Sequence, residues 1–323
     1  MAKTEIGIAL GGGAARGWAH IGVLKALLNA GIKPDIVAGT SIGAVVGGCY
    51  VANRLDELER FARELTRRRV FGYLDFNLAG SGLITGQRLC DRLEEHLGDR
   101  TIETLEAPFT AVATEIGTGH EVWLSRGRLV DAIRASYALP GIFRPVNING
   151  RWLFDGALVN PVPVSVCRVL GARYVIAVYL NTEMYGRSIV APQVDGGRHE
   201  TQTAEAPKIK VGNGRAALKL LQRQLFGKGG DDVPGISTLM IEAFNIVQDR
   251  IARSRLAGDP PDVMITPRLG GIGPFDFHRA DEIIERGTAA VYRVIEDISR
   301  ELAVRRFGHP RPLTPSAQGP ARR

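Results

Sequence analysis

Apolar and polar positions change period several times along the chain, and each change marks an element. Ile6–Leu10 is a short apolar run, which at that length predicts a strand covered on both faces. Residues 18–29 then repeat apolar side chains three and four apart, predicting a helix that stops at Gly31. A second run at 36–38 predicts another strand, and 43–52 another helix. This β-α-β-α opening predicts an α/β protein with a mainly parallel sheet and a site at the C-terminal ends of its strands.

Further along, 55–69 reads as a charged amphipathic helix ending in Arg67-Arg68-Arg69, where cations suit the helix dipole. Residues 71–86 carry Phe71, Tyr73, Phe76 and several glycines and predict a loop near the mouth of the site. Phe109–Glu115 and Glu121–Leu124 flank Gly117-Thr118-Gly119 as a hairpin, and 146–154 form another that turns at Asn149-Gly150. Residues 173–180 predict a buried strand. After Asn181 the composition turns to Gly, Gln, Glu and Lys, and about 182–232 reads as a mobile insertion, either a lid or a plain surface loop. Within it, 216–226 has helical amphipathic spacing that suits the protein body or a membrane surface. A long helix at 236–257, a last strand at 263–266 and a C-terminal helix at 278–304 follow. Residues 305–323 hold five arginines with Pro and Gly and read as a disordered basic tail.

The candidate chemistry lies at the element junctions. Gly39-Thr40-Ser41-Ile42-Gly43 has the G-x-S-x-G pattern directly after a strand and before a helix. A sharp turn there lifts the serine hydroxyl above the sheet, the glycines let the backbone pass, and the helix N-terminus favours developing negative charge. Upstream, Leu10-Gly11-Gly12-Gly13-Ala14-Ala15-Arg16-Gly17 forms a second strand-to-helix turn, whose backbone N–H groups suit a phosphate or an oxyanion. Downstream, Asp155-Gly156-Ala157 follows the second hairpin and offers a carboxylate that can take a proton from Ser41. An ordinary carboxylate, with a pKa near ~4, is a poor base for serine, and burial would raise it.

Taken in this order, the three motifs resemble those of the patatin-like phospholipases. Ala19-His20-Ile21-Gly22-Val23-Leu24-Lys25-Ala26-Leu27, Ala30-Gly31-Ile32 and the run from Ala135 to Val146 are similar to bacterial members, and the likeness covers about 4–180. It implies one domain over 1–304, folded as a three-layer α/β/α sandwich. It also implies a Ser–Asp dyad without a catalytic histidine. Ser41 would be the nucleophile, Asp155 the general base, and the N–H groups of Gly12, Gly13 and Ala14 the oxyanion hole. Gly11, Arg16, Gly17, Gly39, Gly43, Gly156 and Ala157 would flank these positions. The implied activity is hydrolysis of acyl esters, of phospholipids or lysophospholipids, through an acyl-enzyme and without cofactor or metal. Thioester hydrolysis and acyl transfer would use the same dyad.

One position departs from the family pattern. Ala14 stands where the turn has its third glycine, and alanine reaches positive φ only at a cost. Gly12 and Gly13 are therefore expected to be the main donors, with Ala14 at negative φ. Arg16 fits two roles, meeting a phosphate head group or holding the loop by an ion pair. Of the six histidines, His20 reads as structural and His278 stays open as a third catalytic member, whereas His96, His120, His199 and His309 lack the context of a catalytic loop.

Two rival classes are weighed by the same residues. Gly12 and Gly17 have P-loop spacing, but Trp18-Ala19 replaces the Lys-Ser/Thr that grips phosphate and magnesium. The dinucleotide frames meet Arg16 or Ala14 where a glycine is needed. A non-catalytic lipid-binding relative would not need both Ser41 and Asp155.

The 323 residues are 45% hydrophobic and 23% charged, ample for a large core. A formal charge of +7 favours anionic surfaces, and peripheral membrane contact fits better than nucleic acid, for which no motif is present. Cys49, Cys90 and Cys167 have no metal spacing and read as reduced, buried thiols. With neither a signal peptide nor a run of ~20 apolar residues, the chain is expected in the cytoplasm, touching the inner membrane face at most peripherally.

Overall fold

The computed structural model describes residues 5–73, 87–181 and 236–307. Among these, eight strands form one sheet: β1 (Ile6–Leu10), β2 (Ile36–Thr40), β3 (Phe109–Glu115), β4 (Glu121–Leu124), β5 (Val146–Ile148), β6 (Arg151–Asp155), β7 (Tyr174–Val178) and β8 (Val263–Ile265). The order is β5-β6-β3-β2-β1-β7-β8, with β4 also paired to β3. The pairings from β3 through β2, β1 and β7 to β8 are parallel, and those of β4, β5 and β6 antiparallel.

Among the described residues ten α-helices surround the sheet: α1 (Ala19–Asn29), α2 (Ile42–Val51), α3 (Leu55–Arg63), α4 (Arg67–Tyr73), α5 (Gln87–Leu97), α6 (Leu129–Tyr137), α7 (Val164–Val169), α8 (Ile236–Gly258), α9 (Ala280–Tyr292) and α10 (Ile295–Phe307). Strand alternation splits the core between two layers, because successive side chains leave opposite faces. Ile6, Ile8 and Leu10 join Val37, Ile176 and Val178 in a cluster closed by α1, α2, α3, α5, α6, α9 and α10. Ala9, Ile36, Ala38, Val175 and Ala177 join a second, closed by Val164, Val166 and Cys167 of α7 and Ala252 of α8. The result is the expected α/β/α sandwich.

One register detail builds the site. Ala111 and Val112 of β3 pair with both β2 and β4, while Ala113 and Thr114 pair with both β4 and β6. Strands β2 and β6 therefore share one edge of β3, end to end. Thr40 lies opposite Val112 and Asp155 opposite Ala113. The C-terminal ends of β2 and β6 meet at consecutive positions of β3.

The boundaries differ from expectation in three places. The 55–69 helix is two helices, α3 and α4, and the 278–304 helix is α9 and α10. Helix α10 runs on through Phe307, where Arg305 donates to the carbonyl of Arg173 and pairs with Asp262. The loop expected at 71–86 is helical through Tyr73. The remainder of that loop, the 182–232 insertion and 308–323 lie outside the described residues. The three cysteines are free and buried.

Candidate active site

Ser41 alone makes the turn between β2 and α2. Its φ of 56° and ψ of −125° lie in a region that non-glycine residues rarely occupy. The surroundings hold it there. The Ser41 N–H donates to Ser136 Oγ at 2.9 Å, and Ser136 Oγ donates to the Val112 carbonyl at 2.6 Å. Thr40 Oγ1 donates to the Asn160 carbonyl at 2.8 Å. The turn is tight because α2 begins directly on the end of β1: a Cβ at Gly43 would lie 2.1 Å from the Leu10 carbonyl oxygen.

Asp155 arrives from the other side of the strand junction. Ser41 Oγ donates to Asp155 Oδ2 at 2.6 Å, and the Ala157 N–H donates to Oδ1 at 2.9 Å. The carboxyl is 1% exposed. Burial pushes its pKa from the ordinary 3.8 up to about 7, against the opposing pull of the Ser41 hydroxyl and the Ala157 N–H. A carboxylate poised near neutrality is matched to accept a proton at ordinary pH.

The glycine turn corrects two expectations. Gly11 and Gly12 donate their N–H groups to the carbonyls of Val178 and Pro161, at 3.1 and 3.0 Å. Gly12 is thus not an open donor. Ala15 donates to the Pro274 carbonyl and Arg16 to that of Gly13, which leaves the N–H groups of Gly13 and Ala14 without an acceptor among the described residues. Both residues line the same cavity as Ser41. Ala14 has φ 49°, not the negative value expected. Gly12 still bears on Ser41, since a Cβ there would stand 3.6 Å from that of the serine.

The charged and titratable neighbours sort differently from the sequence. Arg16 is 1% exposed and faces inward, its Nε on the Ile272 carbonyl and its Nη1 on Asn181 Oδ1, both at 3.0 Å. It holds the turn and offers nothing to a head group. His20 is fully buried, and burial lowers its pKa to about 4, so its neutral ring donates Nε2–H to the Gly11 carbonyl at 2.7 Å. His278 accepts from Arg67 Nε at 3.0 Å. Neither imidazole bonds to Ser41 or Asp155.

Ser41, Asp155, Gly13 and Ala14 open onto a cavity of about 180 Å³. Its walls are mostly apolar, with Leu58 and Phe61 of α3, Leu93 of α5, and Phe143 and Phe275 from loops. Three further side chains at the site were given no role by the sequence: Ser136, which lies in the family-like run from Ala135 and holds the Ser41 N–H, and Asn245 and Gln248, which α8 turns into the cavity. Among the described residues no group of three or more His, Cys, Asp or Glu is placed to hold a metal ion, and no helix is long and apolar enough to cross a membrane.

Fold and site together define an α/β protein with a serine on a strand-to-helix turn, hydrogen-bonded to a buried aspartate. The patatin-like phospholipase family model matches residues 8–168. An uncharacterized NTE family protein of Mycobacterium tuberculosis is 34% identical over 91% of this chain and 92% of its own length. Patatin-like phospholipase domain-containing proteins of Caenorhabditis elegans and Homo sapiens are 39% and 34% identical over 55% and 57% of this chain, in each case 14% of the relative. The crystal structure of VipD from Legionella pneumophila aligns with 91% of this chain and 67% of its own, at a TM-score of 0.46 and 12% identity. The chain belongs to the patatin-like phospholipase family.

Proposed function

We propose that this protein is a serine lipid acyl hydrolase of the phospholipase or lysophospholipase type, working through a Ser41–Asp155 dyad and an acyl-enzyme. The observation that carries the reading is the 2.6 Å hydrogen bond from Ser41 Oγ to a buried carboxylate at the wall of an apolar cavity. Asp155 takes the Ser41 proton as Oγ attacks the ester carbonyl. The N–H groups of Gly13 and Ala14 receive the oxyanion, each such donor being worth roughly 10²–10³ in rate. Collapse of the tetrahedral intermediate breaks the bond to the alcohol, which leaves with the proton from Asp155. Water then attacks the acyl-serine, Asp155 accepts its proton, and the fatty acid is released as Ser41 regains its hydrogen. The proposed cycle takes no step through a metal or a cofactor.

The apolar walls suit an acyl chain. Arg67, Arg68 and Arg69 are exposed, and Arg67 bonds His278, next to the cavity residue Phe277. That charge favours docking on an anionic membrane surface, which would present the lipid. Hydrolysis of short- and long-chain esters, together with fluorophosphonate labelling, tests the reading. Ser41→Ala is expected to lose both by several orders of magnitude while keeping its fold. Labelling that persists in this variant refutes it.

A further inference from the structure

We propose that Asn245 and Gln248 form a subsite that hydrogen-bonds hydroxyl groups on the alcohol half of the ester, so that polyol esters such as monoacylglycerols are selected over simple alkyl esters. This rests on the hydrolase reading for the identity of the ester, though not for the binding of the polyol.

Both residues lie on α8, three positions apart and therefore on one face, and both line the cavity that holds Ser41. They are 8% and 4% exposed. Side chains on a buried helix face are ordinarily apolar, and here two carboxamides occupy it. Asn245 Nδ2 has no hydrogen-bond partner among the described residues. A buried donor in that state has lost its water without replacement, a penalty that a ligand oxygen would relieve. Gln248 Oε1 lies 3.7 Å from the point where a Gly12 side chain would begin, and that point is 3.6 Å from Ser41 Cβ. The second carboxamide thus stands over the glycine turn, in the cavity that Ser41 also lines.

The phase of α8 is fixed by its next residues. Asp249 accepts from the Tyr179 hydroxyl, immediately beyond β7, and from Arg253 Nε at 2.8 Å. Ala252 packs into the second core. With 249 and 252 held against the body, 245 and 248 stay turned into the cavity.

The donor set selects the ligand. A carboxamide offers two donors and an acceptor, which complements hydroxyls that each donate and accept. A phosphate would call for a guanidinium or an ammonium. Arg16 beside the turn is buried and committed to Ile272 and Asn181, and the two arginines that line the cavity, Arg54 and Arg92, are paired with Glu57 and Glu95. The acyl chain fills the apolar remainder of the cavity, toward Leu58 and Phe61.

The test pairs a non-hydrolysable comparison with a catalytic one. Calorimetry compares binding of 1-O-octylglycerol and octyl methyl ether to the wild type, Asn245→Leu and Gln248→Met. Each substitution is expected to weaken octylglycerol by about 5- to 50-fold, the scale of a lost buried hydrogen bond, and to leave the methyl ether within about twofold. For Asn245→Leu the thermal midpoint is expected to hold or rise, since the Nδ2 it removes has no partner among the described residues. Should either bulky variant fail to fold, Asn245→Ala or Gln248→Ala carries the same comparison. In hydrolysis, the kcat/KM ratio of monooctanoylglycerol to methyl octanoate is expected to fall by a similar factor. Equal weakening of both ethers, or an unchanged ratio, overturns the subsite. Selective ether binding that is lost in the variants supports it even if neither ester is hydrolysed, and that last outcome refutes the hydrolase reading alone.

Discussion

Replacing Asp155 with asparagine is expected to abolish activity and to make the protein more stable at neutral and alkaline pH. The carboxyl titrates at 3.8 when exposed and at about 7 in the folded chain, where burial disfavours its charge. Each pH unit of difference is worth about 1.4 kcal/mol, so folding with Asp155 ionised costs about 4 kcal/mol relative to folding with it neutral. The sign follows from proton uptake. Between pH 4 and 7 the folded chain holds a proton that the unfolded chain has released, so stability falls as pH rises and levels off above 7. Below pH 4 both forms are protonated and no penalty remains. Asparagine never ionises. It can accept from the Ala157 N–H with its oxygen and donate to Ser41 Oγ with its nitrogen, so both existing contacts keep partners. Urea unfolding of wild type and Asp155→Asn at intervals from pH 5 to 8 measures the effect. The stability difference is expected to swing by about 2–3 kcal/mol in favour of the variant across that range. The same ionisation governs catalysis: kcat/KM is expected to rise through a midpoint near pH 7 as the base loses its proton. Parallel stability curves for the two proteins would refute the reasoning, as would a rate profile flat down to pH 5.

Ala14→Gly relieves a positive φ at some cost in chain entropy, and is expected to change stability by between zero and about +1 kcal/mol, with kcat unaltered because the N–H remains; calorimetry and ester kinetics check both, and a clear destabilisation would show that φ 49° carries no strain. Gly43→Ala drives a methyl to 2.1 Å from the Leu10 oxygen, a backbone atom that cannot swing aside. It is expected to cost about 3 kcal/mol or more, or to prevent soluble expression. Gly258→Ala, which meets open space, serves as the control and is expected to stay within about 0.5 kcal/mol.

The opening of the fold was legible because β1 and β2 are buried on both faces and the turns after them are rich in glycine. Breaks within helices were not. Nothing in residues 64–66 or at Arg293-Val294 is a proline or a glycine, and the one local cue at the first break is Thr66, whose Oγ1 accepts from the Arg69 N–H at the start of α4. Motif order named the chemical groups, but which N–H groups of the glycine turn stay open depends on Val178, Pro161 and Pro274, carbonyls remote in sequence. Asn245 and Gln248 show the same limit: amides within a helix read as a solvated face until their packing is known.

The end-to-end seating of β2 and β6 on one edge of β3 also fixes when in folding the Ser41–Asp155 contact can exist. The two side chains are 114 residues apart in the chain, and each is aligned by a neighbouring position of a strand that belongs to neither. Contacts of such long sequence separation form late, after the loops between them have closed. A chain still emerging from the ribosome, or one with β6 detached, holds a serine on an unsupported turn and a carboxylate free in water with an ordinary pKa. Under the proposed mechanism, reactivity and completed topology therefore arrive together, and a half-made copy lacks the assembled Ser41–Asp155 pair.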